Sequence, residues 1–432
     1  MQNILMMLTL NVDFFIPKVS HAIRCPFSIC QAEVDGYIPS EKTMFANFFS
    51  QVVLADKLGY GTAWVAENHL SCEVQKTNSG AVIPEFKGEV GLNTDILQFA
   101  NHIFSKTKQI GVGSAIRNIL CNGGPIAHAE ALNTFLALQE HSTAANRVLN
   151  LGFAAGRFPF SSAPYGIVPR NSFEKRDWSM IKSKIFRQAT EIFLRLLKGD
   201  IFASADLKKQ FLSRPDFKAE ADWQITLNAW KSRGQMELSD LPLAPRWNFD
   251  RLGLIPRQVS HENLRLIIGS HEAATQEFSN TILPCGVFNL SITPSTEIEQ
   301  IHQRMQTKYH QNGGKWLRSN VPRTVLVFID ATPGWSDEAR REKATIRAKK
   351  SMQIYWQAME GTVDTTRIKN AVKNALVTTP QDIIGQIKSR FHSEDRLMLW
   401  FDFFNHHNND VKKSMTDFWE HVAPHFSSDS IL

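Results

Sequence analysis

Glu67, Asn68 and His69 stand directly behind a short apolar run, Thr62 to Ala66, which opens after the turn Gly59-Tyr60-Gly61. A carboxylate, an amide and an imidazole in sequence can hold and move a proton, because imidazole titrates near neutral pH and a neighbouring carboxylate can fix its orientation. A buried strand that ends in such a cluster is where an α/β barrel places its chemistry. The bland alternative is a capped loop with a hydrogen-bonded structural histidine, and this segment alone does not separate the two.

A second segment suits an anion. Gly269-Ser270-His271-Glu272-Ala273-Ala274-Thr275 follows an apolar run and opens a helical pattern. Gly269 lets a ligand approach the backbone, Ser270 and Thr275 carry hydroxyls, and a helix start offers free N–H groups and a positive dipole. A helix capped by Ser270 explains the same residues without a ligand. Ser114-Ala115-Ile116 and Gly152 to Gly156 are small residues at strand ends. They leave room for a flat ring against the backbone, and they equally suit a packed barrel layer. Arg157 could reach an anion, although structural arginine is the commoner case. His421 and His425 have metal-like spacing, but Pro424 interrupts the helix face, and His406-His407 sits in a polar tail. Neither pair is expected to bind metal.

These residues need a frame. Apolar runs of strand length occur at Leu5–Ile16, Thr62–Ala66, Ile110–Ile116, Val148–Phe153, Leu266–Ile268, Val287–Leu290, Thr324–Ile329 and Leu397–Phe403. Helical spacing follows each, for example over Phe45–Leu58 between the first two, and Asp417–Phe426 closes the chain. Repeated βα units of this count predict an α/β fold, a (β/α)8 TIM barrel formed as a single domain over 1–432; a doubly wound open sheet is the alternative. Residues 199–262 break the rhythm with charge, Pro and Trp, and are expected to be an insertion packed over one end of the barrel. A smaller irregular stretch covers roughly 71–94.

Composition narrows the class. Apolar residues make up 43% and charged residues 21%, an ordinary globular balance. The net charge of +6 is small for 432 residues, and basic stretches such as Arg340-Arg341-Glu342-Lys343 are interleaved with acids. Nucleic-acid binding is therefore not expected. Five cysteines, an odd number without a Cys-x-x-Cys pair, argue against a disulfide framework or zinc ribbon and for a reducing cytoplasm. Cys72 and Cys121 are expected to be inert small residues. Neither a signal peptide nor a membrane span is expected.

Several segments, taken in order, resemble the bacterial luciferase-like flavin monooxygenases. They are Gly59 to His69, Ile110 to Ile116, Gly124-Pro125-Ile126-Ala127-His128-Ala129-Glu130 through Leu138, Arg147 to Gly156, Leu266 to Thr275, Val377-Thr378-Thr379-Pro380, and Ser414-Met415 with Val422-Ala423-Pro424. The resemblance covers nearly the whole chain except 199–245. It implies an enzyme that uses reduced FMN, supplied by a separate flavin reductase, and O2 to oxygenate a small organic substrate. His69, Glu67 and Asn68 would be the catalytic group. Ala115, Ile116, Gly152, Gly269, Ser270, His271 and Thr275 would bind the cofactor, with a non-prolyl cis peptide at Ala115–Ile116. A homodimer or heterodimer is implied. A deazaflavin-dependent oxidoreductase on the same barrel, and a non-catalytic flavin-binding or partner protein, remain open.

The departures are specific. Where luciferases carry two adjacent histidines this chain has Asn68-His69, and asparagine exchanges no proton near neutral pH. The arginine that helps bind phosphate in luciferases falls at Ala127, with His128 beside it as a partial substitute. Both point to a divergent member.

Overall fold

Thr62 to Val65 forms a fully buried strand, and the sequence around it explains why. The preceding helix α1 (Glu41–Leu58) starts on Ser40, whose hydroxyl accepts the Thr43 N–H, and stops at Gly59 with φ 95°. That left-handed conformation suits glycine, and it turns the chain into the strand. Asp56, in the last turn of α1, accepts the backbone N–H groups of Lys108, Gln109 and Ile110 and so pins the entry of the next strand.

The structure is a computed structural model that describes residues 20–23, 39–70, 92–156, 158–234, 238–359 and 372–426. The strands are β1 (Ser20–Ile23), β2 (Thr62–Val65), β3 (Gly111–Asn118), β4 (Leu149–Ala154), β5 (Phe211–Ser213), β6 (Asp240–Pro242), β7 (Leu264–Ile268), β8 (Cys285–Val287), β9 (Arg323–Ile329), β10 (Leu376–Thr378) and β11 (Leu397–Trp400). Nine of them form one sheet in the order β10-β9-β11-β1-β2-β3-β4-β7-β8, and every pairing in it is parallel. Parallel neighbours require crossovers, here made by α1, α2 (Ile96–Lys106), α3 (Gly124–Glu140), α4 (Trp178–Leu197), α5 (Glu220–Lys231, within the insertion), α6 (Ala273–Ser279), α7 (Ser295–Lys308), α8 (Asp337–Met359) and α9 (Pro380–Arg390); α10 (Asn408–His421) follows the last strand. A further isolated bridge pairs Asn289, just after β8, with Arg323 at the start of β9.

The strands bury both faces, as parallel sheets do. Ala63, Val65, Leu151, Phe153 and Leu399 join the large cluster shared with the helices. Their alternate neighbours Trp64, Ile267, Leu326, Phe328, Met398 and Trp400 form a separate cluster with Phe288 and Phe403, against which Ala115 and Ile116 pack.

The expected first strand, Leu5–Ile16, lies outside the described residues. The first described strand is Ser20–Ile23 instead. β10 was not expected: it has three residues, too few to register as a period. The closing helix begins at Asn408 rather than Asp417. Residues 199–263 run between α4 and β7, and they contribute Phe202, Leu212, Trp223, Trp230 and Leu241 to the large cluster. Asn133 of α3 donates to Pro256 O at 2.7 Å, and Arg246 N donates to Gln188 of α4 at 3.2 Å, so this segment lies along α3 and α4.

Gly152 illustrates how tightly β3 and β4 meet. A Cβ there would stand 2.4 Å from the Ser114 carbonyl oxygen, which is backbone and cannot swing aside. Gly152→Ala is expected to cost about 1–3 kcal/mol of stability, measurable by urea unfolding. A neutral result would mean that the strands part without penalty.

Candidate functional site

The chain leaves β2 at its carboxyl end and is held there by its own backbone. Asn68 N–H donates to Asn93 O and Asn93 Nδ2 donates to Ala66 O, each at 2.9 Å. This tether carries Glu67 inward. Its side chain is fully buried, with one carboxylate oxygen 2.8 Å from His69 Nε2 and the other accepting the Ile96 N–H at 2.9 Å. A carboxylate can only accept, so Nε2 carries the proton and His69 Nδ1 keeps its lone pair. Nδ1 has no hydrogen-bond partner among the described residues. The side chain is 7% exposed, so a reacting group that meets it does so away from bulk water.

A residue beyond the expected set completes the cluster. Arg117, 3% exposed, lies 3.6 Å from Glu67 Oε1 and 3.8 Å from Asp95, the N-cap of α2. Its Nε donates to His128 Nδ1 at 2.7 Å. Arg117 reaches this position because β3 slips against β4 between Ser114 and Arg117, with Ile116 at φ 148°. A bulge adds a residue and re-aims the next side chain. The sequence signal was a charged residue one position past the apolar run, the place where a barrel strand meets its site.

His128 does not replace the missing luciferase arginine. Its Nδ1 accepts from Arg117 and its Nε2 donates to Cys121 O at 3.0 Å, so both nitrogens are used by a neutral ring. Burial, then the Arg117 charge, pushes its pKa down to about 3. Arg117 is a buried cation beside Glu67. Cys121 is buried, and burial with the Glu67 charge raises its thiol to about 12, so it is no nucleophile at neutral pH.

The cofactor set is only partly brought together. Ile116 sits between β3, β4 and β7: its Cα is 3.6 Å from where a Gly152 Cβ would lie, and its Cδ1 is 2.5 Å from where a Gly269 Cβ would lie. Ala115, Ile116, Gly152 and Gly269 thus form one contiguous patch. The expected cis peptide is not there: among the described residues the cis bond is Ile255–Pro256, and Ala115–Ile116 is trans. The local strain is carried by the φ of Ile116 instead.

At the other segment Thr275 is 1% exposed and its hydroxyl donates to Glu272 at 2.9 Å. Ser270 Oγ accepts the Glu272 N–H at 3.2 Å. His271 is exposed and turned towards Glu297, 3.7 Å away. Arg157 lies outside the described residues.

Of the two segments, the first patch suits a flavin ring better. Ile116 and Ala115 border an aromatic cluster of Trp64, Phe288, Phe328, Trp400 and Phe403, and two buried donors, Asn68 Nδ2 after β2 and Asn118 Nδ2 at the end of β3, have no acceptor among the described residues. Such donors suit the polar edge of a ring. The phosphate end is less well matched, because Glu272 places a carboxylate at the N-cap of α6. Glu272→Gln removes that charge and is expected to tighten FMN several-fold in a fluorescence titration if the phosphate docks here. Unaltered affinity would place the phosphate elsewhere.

No family model matches the sequence, and no curated protein matches it. Solved structures do. The chain is similar to the monooxygenase RslO1 from Streptomyces bottropensis, at 15% identity and TM-score 0.61, covering 95% of this chain and 100% of that one. It is also similar to DmoA from Hyphomicrobium sulfonivorans, at 12% identity and TM-score 0.58, covering 94% and 87%. A third is the oxygenating constituent of 3,6-diketocamphane monooxygenase from Pseudomonas putida, a type II Baeyer–Villiger enzyme in complex with FMN. It matches at 12% identity and TM-score 0.50, covering 94% and 98%. At these identities the likeness is one of fold: an α/β fold built on a parallel sheet, with luciferase-like TIM-barrel enzymes as its structural neighbours. Among the described residues no helix is long and apolar enough to cross a membrane.

Proposed function

We propose that this chain is a flavin-dependent monooxygenase that oxygenates a small organic substrate with O2 and reduced FMN. The observation that carries the reading is the buried Glu67–His69 pair, with Arg117 against it, at the carboxyl end of the parallel sheet. The architecture we infer is a closed ring β1-β2-β3-β4-β7-β8-β9-β11. The Asn289–Arg323 bridge supports closure between β8 and β9, and β10 lies along the far half of β9. The carboxyl mouth of such a ring is where barrel enzymes work. Ala115, Ile116, Gly152 and Gly269 would lie against the ring, and Ser270, His271 and Thr275 towards the phosphate. Reduced flavin, when bound, supplies the electrons that activate O2.

The chain's own part is positional. Glu67 holds the His69 ring, and His69 Nδ1 takes a proton from substrate or returns one to product. The aromatic cluster keeps water from the ring, and Asn68 and Asn118 offer donors to polar edges. Arg117, held against Glu67, sets the local field. A separate reductase would deliver the reduced cofactor, and a cytoplasmic dimer is the working state we propose.

The test is anaerobic titration with photoreduced FMN, followed by mixing with labelled O2 and a panel of ketones, aldehydes and sulfides. Label in a product supports the reading. Hydride transfer from a reduced deazaflavin without O2 uptake would replace it with the oxidoreductase alternative. Tight flavin binding that leaves reoxidation as in free solution would make this a flavin-binding protein.

A further inference from the structure

The amino end of the same sheet holds a different cluster, made of positive charge alone. Thr62 opens β2, Asn150 is next to the start of β4, and Arg396 immediately precedes β11. Arg396 Nη1 donates to Asn150 Oδ1 at 3.1 Å and Nη2 to Thr62 Oγ1 at 2.7 Å. Its Cζ stands 5.6 Å from the centre of the Trp64 ring. Arg265 is the register partner of Asn150, and its Nη1 donates to the backbone carbonyls of Glu262 and Leu264. Among the described residues neither guanidinium has a carboxylate within ion-pair reach. Burial, and then the proximity of Arg265, pushes the Arg396 pKa down to about 10.

Three donors in this cluster are buried with no acceptor: Arg396 Nε, Asn150 Nδ2 and Trp64 Nε1. Asn150 is 1% and Trp64 0% exposed, and Arg396, although partly exposed as a residue, has its Nε buried, so bulk solvent does not serve these three donors. Buried charges in proteins are paired, and buried donors find acceptors. A water molecule would accept from these donors, but it brings two hydrogens of its own. The side-chain acceptors here, Asn150 Oδ1 and Thr62 Oγ1, already receive Arg396. A water also leaves the charge uncompensated. An anion brings acceptors only, and it neutralises the guanidinium.

We propose that the amino end of the sheet binds a small monovalent inorganic anion of the chloride class, held by Arg396 Nε, Asn150 Nδ2 and Trp64 Nε1. The site is at the opposite end of the strands from His69, so its role is to neutralise Arg396 and join β2, β4 and β11. It does not rest on the flavin reading.

The experiment compares thermal unfolding of the full chain in sodium chloride and sodium gluconate at equal ionic strength, gluconate being too bulky for a buried site. The expected result is a saturable chloride-dependent rise in Tm of about 2 °C, complete at millimolar concentrations, where general salt effects on burial are still weak. Arg396→Met is expected to abolish the chloride dependence. If that variant does not fold, crystals of the unaltered chain soaked in sodium bromide supply the same test: an anomalous peak within hydrogen-bond reach of Arg396 Nε, Asn150 Nδ2 and Trp64 Nε1 supports the site. Identical melting in the two salts, or an ordered water where the bromide should be, overturns it.

Discussion

His69→Ala is expected to lower turnover by about two to four powers of ten while leaving flavin affinity nearly unchanged. The reason is geometric. Glu67 occupies Nε2 at 2.8 Å, so the ring has one orientation and one lone pair to offer, at Nδ1. Loss of the imidazole removes the proton carrier, whereas the patch formed by Ile116, Gly152 and Gly269 lies on other strands and is untouched. Glu67→Gln separates holding from charge. The amide oxygen can still accept from Nε2, so the ring stays in place, but the imidazolium loses its anionic partner. A lower kcat with flavin affinity unchanged is then expected, because the ring is still placed but no longer faces a carboxylate. Asn68→His places a second imidazole beside the first, as in the luciferase pair, and tests the divergence directly. If His69→Ala oxygenates its substrate at the full rate, the histidine is structural, and Arg117 becomes the group to examine.

Much of this arrangement was legible in the sequence, for identifiable reasons. Thr62 to Ala66 is apolar and bounded by glycine, so both the strand and the polar residues at its exit could be read. The Glu67–His69 contact needs only the local chain, because the two residues are separated by one. Arg117 was hidden by a register shift, which no periodicity records: the apolar run stops at Ile116 and the bulge decides where the next side chain goes. The role of His128 was misjudged for a related reason. Its sequence position beside Ala127 suggested an anion ligand, but its environment is set by Arg117 and the Cys121 carbonyl, which are distant in sequence logic and adjacent in space. Thr275 reads as a phosphate hydroxyl in the sequence; in the structure that hydroxyl donates to the Glu272 carboxylate three residues earlier, a local partner that the sequence also contains. The last helix starts nine residues before Asp417, in the polar run Asn408-Asn409-Asp410. Yet Val411, Met415 and Phe418 recur at helical spacing and are buried, so the pattern was present and was outweighed by composition. The strand β10 has three residues, too few to show a period; it pairs with β9 and runs directly into the Thr379 cap of α9.

The second large effect is a loss of stability in mild acid. Burial and the Arg117 charge hold His128 down to about 3, and burial with the Arg318 charge holds His302 down to about 4. In the unfolded chain both rings titrate near 6.5. Between these values the unfolded state binds protons that the folded state refuses, so stability falls as pH falls through 6.5 and continues to fall until each folded pKa is reached. Each ring contributes about 1.4 kcal/mol per pH unit in that window. His261 and His310 are shifted in the same direction and add to the total. The depressed carboxylates Asp330 and Asp382 act lower down, below the ordinary carboxylate range, so the interval from about pH 6.5 to 5 belongs to the histidines. His128→Gln isolates one of them. A glutamine oxygen can accept the Arg117 N–H and its amide can donate to the Cys121 carbonyl, but it takes up no proton. Urea unfolding at intervals between pH 7 and 5 should give a slope of stability against pH that is shallower in the variant, by an amount that rises to about 1.4 kcal/mol per unit towards pH 5. Equal slopes in the two proteins would mean that His128 accepts a proton in the folded state. That would in turn require Arg117 to release it, and the buried cluster around Glu67 would have to be arranged differently.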